Sequence, residues 1–251
     1  MSVSQTQVQG PRLAGLRWRL QVVHRTRFSY SGPVRSSYNE ARLTPESSGR
    51  QTTLRSRVEI EPAATAFAYR DYWGSTVTAF DLHTPHEELV VTGTSIVEAG
   101  PDPAEHAAAG WTELAGPAVR DHMDYLPGAT NVKTNAMQAW TTGKGVCQDI
   151  SHVTVGLLRA LGLPARYVSG YLHPTPDAEI GASVTGESHA WVEWWDGGWT
   201  SFDPTNSVEV AARHVTLGRG RDYADVPPFK GIFSGPASEG HTVTVEVTRL
   251  A

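Results

Sequence analysis

Residues 143–164 read Gly-Lys-Gly-Val-Cys-Gln-Asp-Ile-Ser-His-Val-Thr-Val-Gly-Leu-Leu-Arg-Ala-Leu-Gly-Leu-Pro. Ile150, Val153, Leu157 and Leu161 recur at spacings of three and four, which predicts an amphipathic helix from about Cys147 to Leu161. Gly162 follows as a C-terminal cap, and Pro164 prevents continuation. Cys147 thus opens a helix behind the glycine-bearing loop Gly143–Val146. A free cysteine is most often a small buried hydrophobe. A helix N-terminus, however, offers partial positive charge and unpaired N–H donors, which favour a thiolate and can hold an oxyanion formed when sulfur attacks a carbonyl.

A thiolate nucleophile needs a base and a group that orients the base. The segment His189-Ala190-Trp191-Val192-Glu193-Trp194-Trp195 reads as a strand, with His189, Trp191, Glu193 and Trp195 on one face. Asp196-Gly197-Gly198 reads as a hairpin turn, and Trp199-Thr200-Ser201-Phe202 returns to Asp203, stopped by Pro204. A three-residue loop pairs Trp195 with Trp199 and sets His189 opposite Thr205. Asp203 then lies diagonal to His189 on the same face, at ~7–8 Å between Cβ or Cα atoms, within side-chain reach. A two-residue loop would turn Asp203 to the other face; Asn206 or Glu193 would then be the next candidates to orient the base. Alternatively, His189 is a half-buried strand histidine and Asp203 a turn residue before proline. His152, five positions after Cys147, points about 140° away around the helix and reads as a packing or surface residue.

Working outward, strands continue at Ala165 to Leu172 and, near the end, at Thr242 to Thr248 with Val243, Val245 and Val247 on one side. The first part of the chain is strand-like throughout. Trp18 to Phe28 alternates apolar and polar residues, as do Leu54 to Glu61, and Thr76 to Leu82 and Glu88 to Val97 are further strands. Ser31-Gly32-Pro33, Ser47-Ser48-Gly49, Trp73-Gly74-Ser75 and Thr84-Pro85-His86 supply the turns. The sequence predicts an α+β protein: a β-rich N-terminal domain over 16–98, a linker with a short helical segment over 99–124, and a mixed core over 125–251.

Composition narrows the function. Of the 251 residues 39% are hydrophobic, enough for a packed core, and the net charge of -5 leaves no basic footprint for nucleic acid or an anionic membrane surface. No apolar run reaches the ~18 residues of a membrane span. Met1 to Gly15 lacks the apolar centre of a signal peptide, and the single cysteine rules out an intramolecular disulfide. The expectation is a cytoplasmic protein. The eight tryptophans gather towards the C-terminal half, where tryptophan can pack a core or line a site for an extended substrate. His83-x-x-His86 has no further ligands at metal spacing around it, and Gly218-Arg219-Gly220-Arg221-Asp222 lacks the ending of a phosphate loop.

Three ordered blocks, GKGVCQDISHVTVGLLRALGLPARYVSGYL (143–172), ESHAWVEWW (187–195) and GWTSFDPTN (198–206), resemble the signature blocks of the bacterial transglutaminase-like superfamily. Residues 213–235 resemble that family's C-terminal block. The region from about Leu16 to Glu98 resembles its accessory β-rich domain, with residues 69–91 the closest part. The resemblance implies a papain-like core in which a central helix bearing the cysteine packs on an antiparallel sheet bearing the histidine and aspartate. It places the family's catalytic triad on Cys147, His189 and Asp203. It implies acyl transfer on a peptide or protein substrate, as a protease or amidase or as a protein-glutamine transamidase, with no cofactor. The alternative is a binding or assembly module that keeps the fold. The backbone N–H of Cys147 is one expected oxyanion donor. Gln148 and Trp140 are candidates for the second, and Trp191 is a candidate substrate-binding residue. One departure stands out: relatives carry a longer segment before the Tyr-x-Pro-Gly-x-Thr element, here Tyr125 to Thr130, and only about Trp111 to Asp124 remains to supply it.

Overall fold

The structure, a computed structural model, describes residues 17–101, 118–186 and 188–251. The leader reading at Met1–Gly15 and most of the segment between the two expected domains lie outside these residues. The protein is α+β, with three larger antiparallel sheets and a central helix.

The first strand, β1 (Trp18–Val34), keeps its even-numbered residues inward over most of its length. Trp18, Leu20 and Val22 pack towards the C-terminal half, whereas Tyr30 and Val34 pack against a second N-terminal sheet. Alongside it run β2 (Ser36–Thr44), β3 (Gln51–Glu61), β4 (Ala66–Arg70), β5 (Thr76–Leu82) and β6 (His86–Ala99). Strands β2 and β4 were not evident from alternation. Leu54, expected inward, is exposed because the β3–β6 register shifts between Thr53 and Arg55.

A helical turn over 118–122 is followed by β7 (Asp124–Tyr125), α1 (Ala136–Thr142), β8 (Lys144–Gly145) and α2 (Cys147–Ala160). Helix α2 ends one residue before the predicted limit, and Gly162 adopts φ 83° after it. The predicted stripe describes only one of its buried sides. Ile150 and Val153 pack with Val119, Met123 and Ala139, while Val155 and Leu158 pack with Ala165, Val192 and Trp194. Leu161, predicted inward, is exposed. A helix flanked by elements on both sides buries more than one stripe.

The core sheet contains β9 (Ala165–Leu172), β11 (His189–Trp195), β12 (Trp199–Asp203), β13 (Val208–Glu209) and β14 (His214–Gly220), in the order β13-β12-β11-β9-β14. Strands β10 (Ser183–Gly186), β15 (Phe229–Ser234) and β16 (Ser238–Arg249) lie elsewhere. The five-stranded N-terminal sheet runs β10-β16-β1-β6-β3, and the four-stranded one β15-β2-β5-β4. This corrects the expected division at residue 125. The strand at 242–248 does exist, but it pairs with β1, so the end of the chain completes the N-terminal sheets. Local alternation reveals a strand without naming its partner. Buried polar contacts join the halves as well: His24 on β1 bonds the Tyr171 hydroxyl at 3.0 Å, and the Gln51 side chain accepts from Thr216 N–H at 2.9 Å. No helix among the described residues is long and apolar enough to cross a membrane.

Candidate active site

Cys147 is the first residue of α2, and the preceding Val146 is extended, with φ -113° and ψ -175°. The carboxylate of Asp149, in the first helical turn, accepts from the Val146 N–H at 2.9 Å and so satisfies a donor at the helix start. Gly145 is required by close approach: a Cβ there would lie 2.6 Å from that of Asp149. Cys147 is partly exposed and packs beside Tyr167, Ala190, Val226 and Tyr223.

The hairpin that carries the other two residues has the register required by a three-residue loop, with Trp195 opposite Trp199 and Val192 opposite Phe202. Asp196 N–H donates to the Gly198 carbonyl at 3.0 Å, and Gly197 takes φ 76°. Asp203 therefore falls on the His189 side, and its Oδ2 lies 2.7 Å from His189 Nε2. Cys147 and His189 line the same cleft, and the thiol is among the groups that raise the basicity of the His189 ring. With Nε2 engaged by Asp203, Nδ1 is the nitrogen left for the sulfur.

Burial by itself lowers the basicity of His189. Hydrogen bonds to Asp203 and Cys147, together with the charge on Asp203, outweigh it and raise the pKa to about 9. Burial likewise opposes the charge on Asp203, but hydrogen bonds from His189 and His214 hold its carboxyl well below the usual carboxylate range. The carboxylate is fully buried and fully engaged. Oδ1 accepts from the N–H groups of Thr205 at 3.0 Å and Asn206 at 3.2 Å. Oδ2 accepts from Asn206 Nδ2 at 2.7 Å and faces His214 Nε2 at 3.3 Å, besides its bond to His189. The arrangement allows His189 to take up a proton from a group near the sulfur, Asp203 to stabilise the resulting imidazolium, and the ring to hand that proton on afterwards.

Beside Cys147 and His189 opens a cleft of about 220 Å³, with Leu172, Pro174, Val184, Val245 and Val247 in its walls. Two of its walls come from β10 and β16, strands of the N-terminal sheet. No carboxylate, lysine or arginine is among the described residues that line it.

The structure thus brings together Cys147, His189 and Asp203. It does not bring the other candidates into the walls of the cleft. Trp140 stacks on His122, with ring centroids 3.8 Å apart, and packs against the Ile150 side of α2. Trp191 is fully buried beneath Gly170, so it supports the strand rather than contacting a substrate. Gln148 is partly exposed and is not among the cleft residues. Asn206 serves the carboxylate alongside the histidine. His152 packs on Tyr167 and accepts the Tyr223 N–H at 3.0 Å, as a packing residue does. Sequence reasoning missed His214 and the valines of β10 and β16. His214 stands in an alternating strand, and only the fold of the 203–214 segment brings it to Asp203.

Comparison with known proteins agrees with this fold. Residues 20–98 match the bacterial transglutaminase-like N-terminal region, and residues 94–204 match the transglutaminase-like superfamily. An uncharacterized protein of Mycobacterium leprae is 42% identical over 93% of this chain and 100% of its own length. One from Mycobacterium tuberculosis is 33% identical over 91% of each. A protein-glutamine gamma-glutamyltransferase of Pseudomonas aeruginosa is 34% identical over 34% of this chain, which is 14% of its own. A crystal structure of a Cytophaga hutchinsonii protein proposed to be a cysteine protease has the same fold, with TM-score 0.69 at 18% identity over 94% of this chain and 93% of that one.

Proposed function

Because this chain belongs to the bacterial transglutaminase-like superfamily, we propose that it is a cysteine-nucleophile acyl-transfer enzyme acting on peptide or carboxamide bonds. The observation that carries this reading is that Cys147 and His189 line one cleft, with His189 bonded on its other side to the buried Asp203 at 2.7 Å. Cys147 loses its proton to His189 and attacks the carbonyl carbon. A carbon–sulfur bond forms as the carbonyl oxygen takes up charge at the helix N-terminus, where the Cys147 N–H is a donor. The tetrahedral centre collapses, the carbon–nitrogen bond breaks, and the imidazolium gives its proton to the leaving amine or ammonia. The thioester then passes its acyl group to water or to a second amine, with His189 taking the proton of the incoming nucleophile. Asp203 holds the imidazole tautomer throughout. No step calls for a metal or an organic cofactor.

The lining of the cleft supports an uncharged acyl group. Leu172, Val184, Val245 and Val247 form an aliphatic stretch of the wall that suits an apolar part of that group, while Tyr125, Thr185 and Ser188 add hydroxyls elsewhere in the lining.

The test is incubation of the protein with a glutamine-containing peptide, with and without an added primary amine, beside Cys147→Ala. Ammonia release with amine incorporation identifies a transamidase, ammonia release alone an amidase, and backbone cleavage a protease. No turnover by wild type, together with alkylation of Cys147 at the rate of a free thiol, would sink the catalytic reading in favour of a binding module.

A further inference from the structure

We propose that His214 is a positioning residue for Asp203 and that Arg50, from the N-terminal part of the chain, holds His214 in place. The proposal rests on the triad reading and goes beyond it by extending the site into the accessory domain.

His214 is fully buried. Its Nδ1 accepts the Ala211 N–H at 3.2 Å. A nitrogen that accepts carries no proton, so in the neutral ring the proton sits on Nε2. That nitrogen lies 3.3 Å from Asp203 Oδ2, the oxygen that receives His189. His214 therefore presents a fixed neutral donor to the triad carboxylate. Burial lowers its pKa to about 4, so the donor stays neutral over the ordinary working range. The Trp191 ring meets it edge-on, with centroids 5.4 Å apart. His214 is not among the cleft residues, so its effect is exerted through Asp203.

Arg50 grips the same turn from the other side. It is 4% exposed, and its guanidinium donates to the His214 carbonyl at 2.9 Å, to Thr216 Oγ1 at 2.9 Å and to the Ala211 carbonyl at 3.4 Å. Ala211 and His214, the two ends of the turn that sets the imidazole tautomer, are thus both tied to a residue that immediately precedes β3. The neighbouring Gln51 amide continues the grip by donating to the Thr216 carbonyl at 2.7 Å. The contacts run from β3 of the N-terminal sheet to His214, to Asp203 and to His189.

The charged and titratable groups that bear on this chain of contacts are His189 and Arg213 beside Asp203, and Arg50 beside His214. Loss of the His214 donor leaves the buried carboxylate less well stabilised, so it takes up a proton at higher pH. The acid limb of kcat/KM should move upward accordingly.

The experiment compares wild type with His214→Phe, His214→Gln, Arg50→Lys and the double variant His214→Phe/Arg50→Lys. The assay is turnover of whichever peptide or carboxamide wild type accepts. In His214→Phe, kcat should fall about tenfold or more, KM should stay near wild type, and the acid limb should shift up. His214→Gln, whose amide can donate, should recover much of the loss. Arg50→Lys should lower kcat by a smaller factor in wild type and by none in the His214→Phe background, because it acts through the same contact. Equal kcat and pH profile in His214→Phe would overturn the proposal, as would no recovery in His214→Gln. If His214→Phe does not fold, the downfield imidazole N–H resonance of His189 decides. It should move in His214→Gln and Arg50→Lys, and an unmoved signal in both refutes the chain of contacts. That resonance also separates the two ideas. An inactive wild type would remove the proposed function, whereas the His189 signal would still report whether His214 governs Asp203.

Discussion

The hydroxyl of Thr130 donates to Asp149 Oδ2 at 2.6 Å, the same oxygen that receives the Val146 N–H at 2.9 Å. One buried carboxylate thereby ties the loop after Tyr125 to the residue just before Cys147. Asp149→Ala removes the acceptor from two donors and should cost about 2–3 kcal/mol, since buried partners left unpaired lose their hydration. Thr130→Val should cost about 1 kcal/mol, the net worth of one hydrogen bond. Urea unfolding of both single variants and the double variant checks this. The double should be less destabilised than the sum of the singles, because they share a contact.

His189 and His24 should impose opposite pH limbs on stability. The pKa of His189 is raised to about 9, so its stabilising contribution is whole below the unfolded value near 6.5 and is lost as pH climbs through about 9. That of His24 is lowered to about 4, chiefly by burial. Between about 4 and about 6.5 the unfolded chain binds the extra proton, so stability falls as the solution is acidified through that window. Urea midpoints measured against pH should therefore show a weakened alkaline decline in His189→Gln and a weakened acid decline in His24→Asn. Parallel profiles in all three proteins would contradict the assignment.

Substitution within the triad should be strongly non-additive. Cys147→Ala should abolish acyl transfer, and His189→Ala should cost nearly as much, because nucleophile and base work as a unit. Asp203→Asn should reduce kcat on the order of 10²- to 10⁴-fold. The new amide would place N–H groups against donors already aimed at it from Thr205, Asn206 and His214. Steady-state turnover of the single and double variants, with matched circular dichroism spectra, provides the check.

Much of this was legible in the chain before folding, for identifiable reasons. The Cys147 helix was visible from local periodicity and its glycine stop. The placing of Asp203 beside His189 followed from a short hairpin whose loop length fixes its register. What escaped depended on long-range pairing. Nothing in Val243, Val245 and Val247 says whether the strand completes the core or returns to β1, and its inward valines suit either. Leu157 and Leu161 looked equivalent to Ile150, yet elements on two sides of α2 redistributed the burial. His214 was invisible as a site residue because its role depends on a turn at Ala211 and an arginine far away in sequence. Trp140 and Trp191 drew attention through residue type alone, and the fold uses both for packing.

Gly170 shows how tightly the strand under His189 is supported. An added Cβ there would lie 2.2 Å from the Val215 carbonyl oxygen and 2.4 Å from Trp191 Cη2. Neither neighbour can yield easily, since one is backbone in a paired strand and the other a fully buried ring. Gly170→Ala should destabilise by about 3 kcal/mol, at the upper end for overpacking. Gly156→Ala, where nothing stands within 4 Å, should be neutral or stabilise by up to about 1 kcal/mol in a helix interior. Thermal unfolding of the pair tests the contrast, and equal midpoints would show that the β9 strand can move.

Strand β16 supplies both structure and a wall of the cleft, and the two roles can be separated. It lies between β10 and β1 in the five-stranded sheet, and Val245 and Val247 are buried where they meet the cleft. Removing residues 238–251 would leave β1 and β10 with unpaired edges and uncover Trp18, Leu20 and Val22, so the truncated chain should aggregate. The valines call for a gentler change. Val184, on the neighbouring strand, is only partly buried and faces the same cleft. Val184→Lys, with its stem along the wall and its ammonium turned to solvent, should cost about 1 kcal/mol and should place a cation beside the substrate. An enzyme that accepts uncharged acyl groups through this cleft should then gain relative activity on acidic peptides and lose it on aliphatic ones. The ratio of kcat/KM for a glutamate-flanked and a valine-flanked peptide measures the shift. An unchanged ratio, with the variant folded and active, would mean that the acyl chain does not pass this wall.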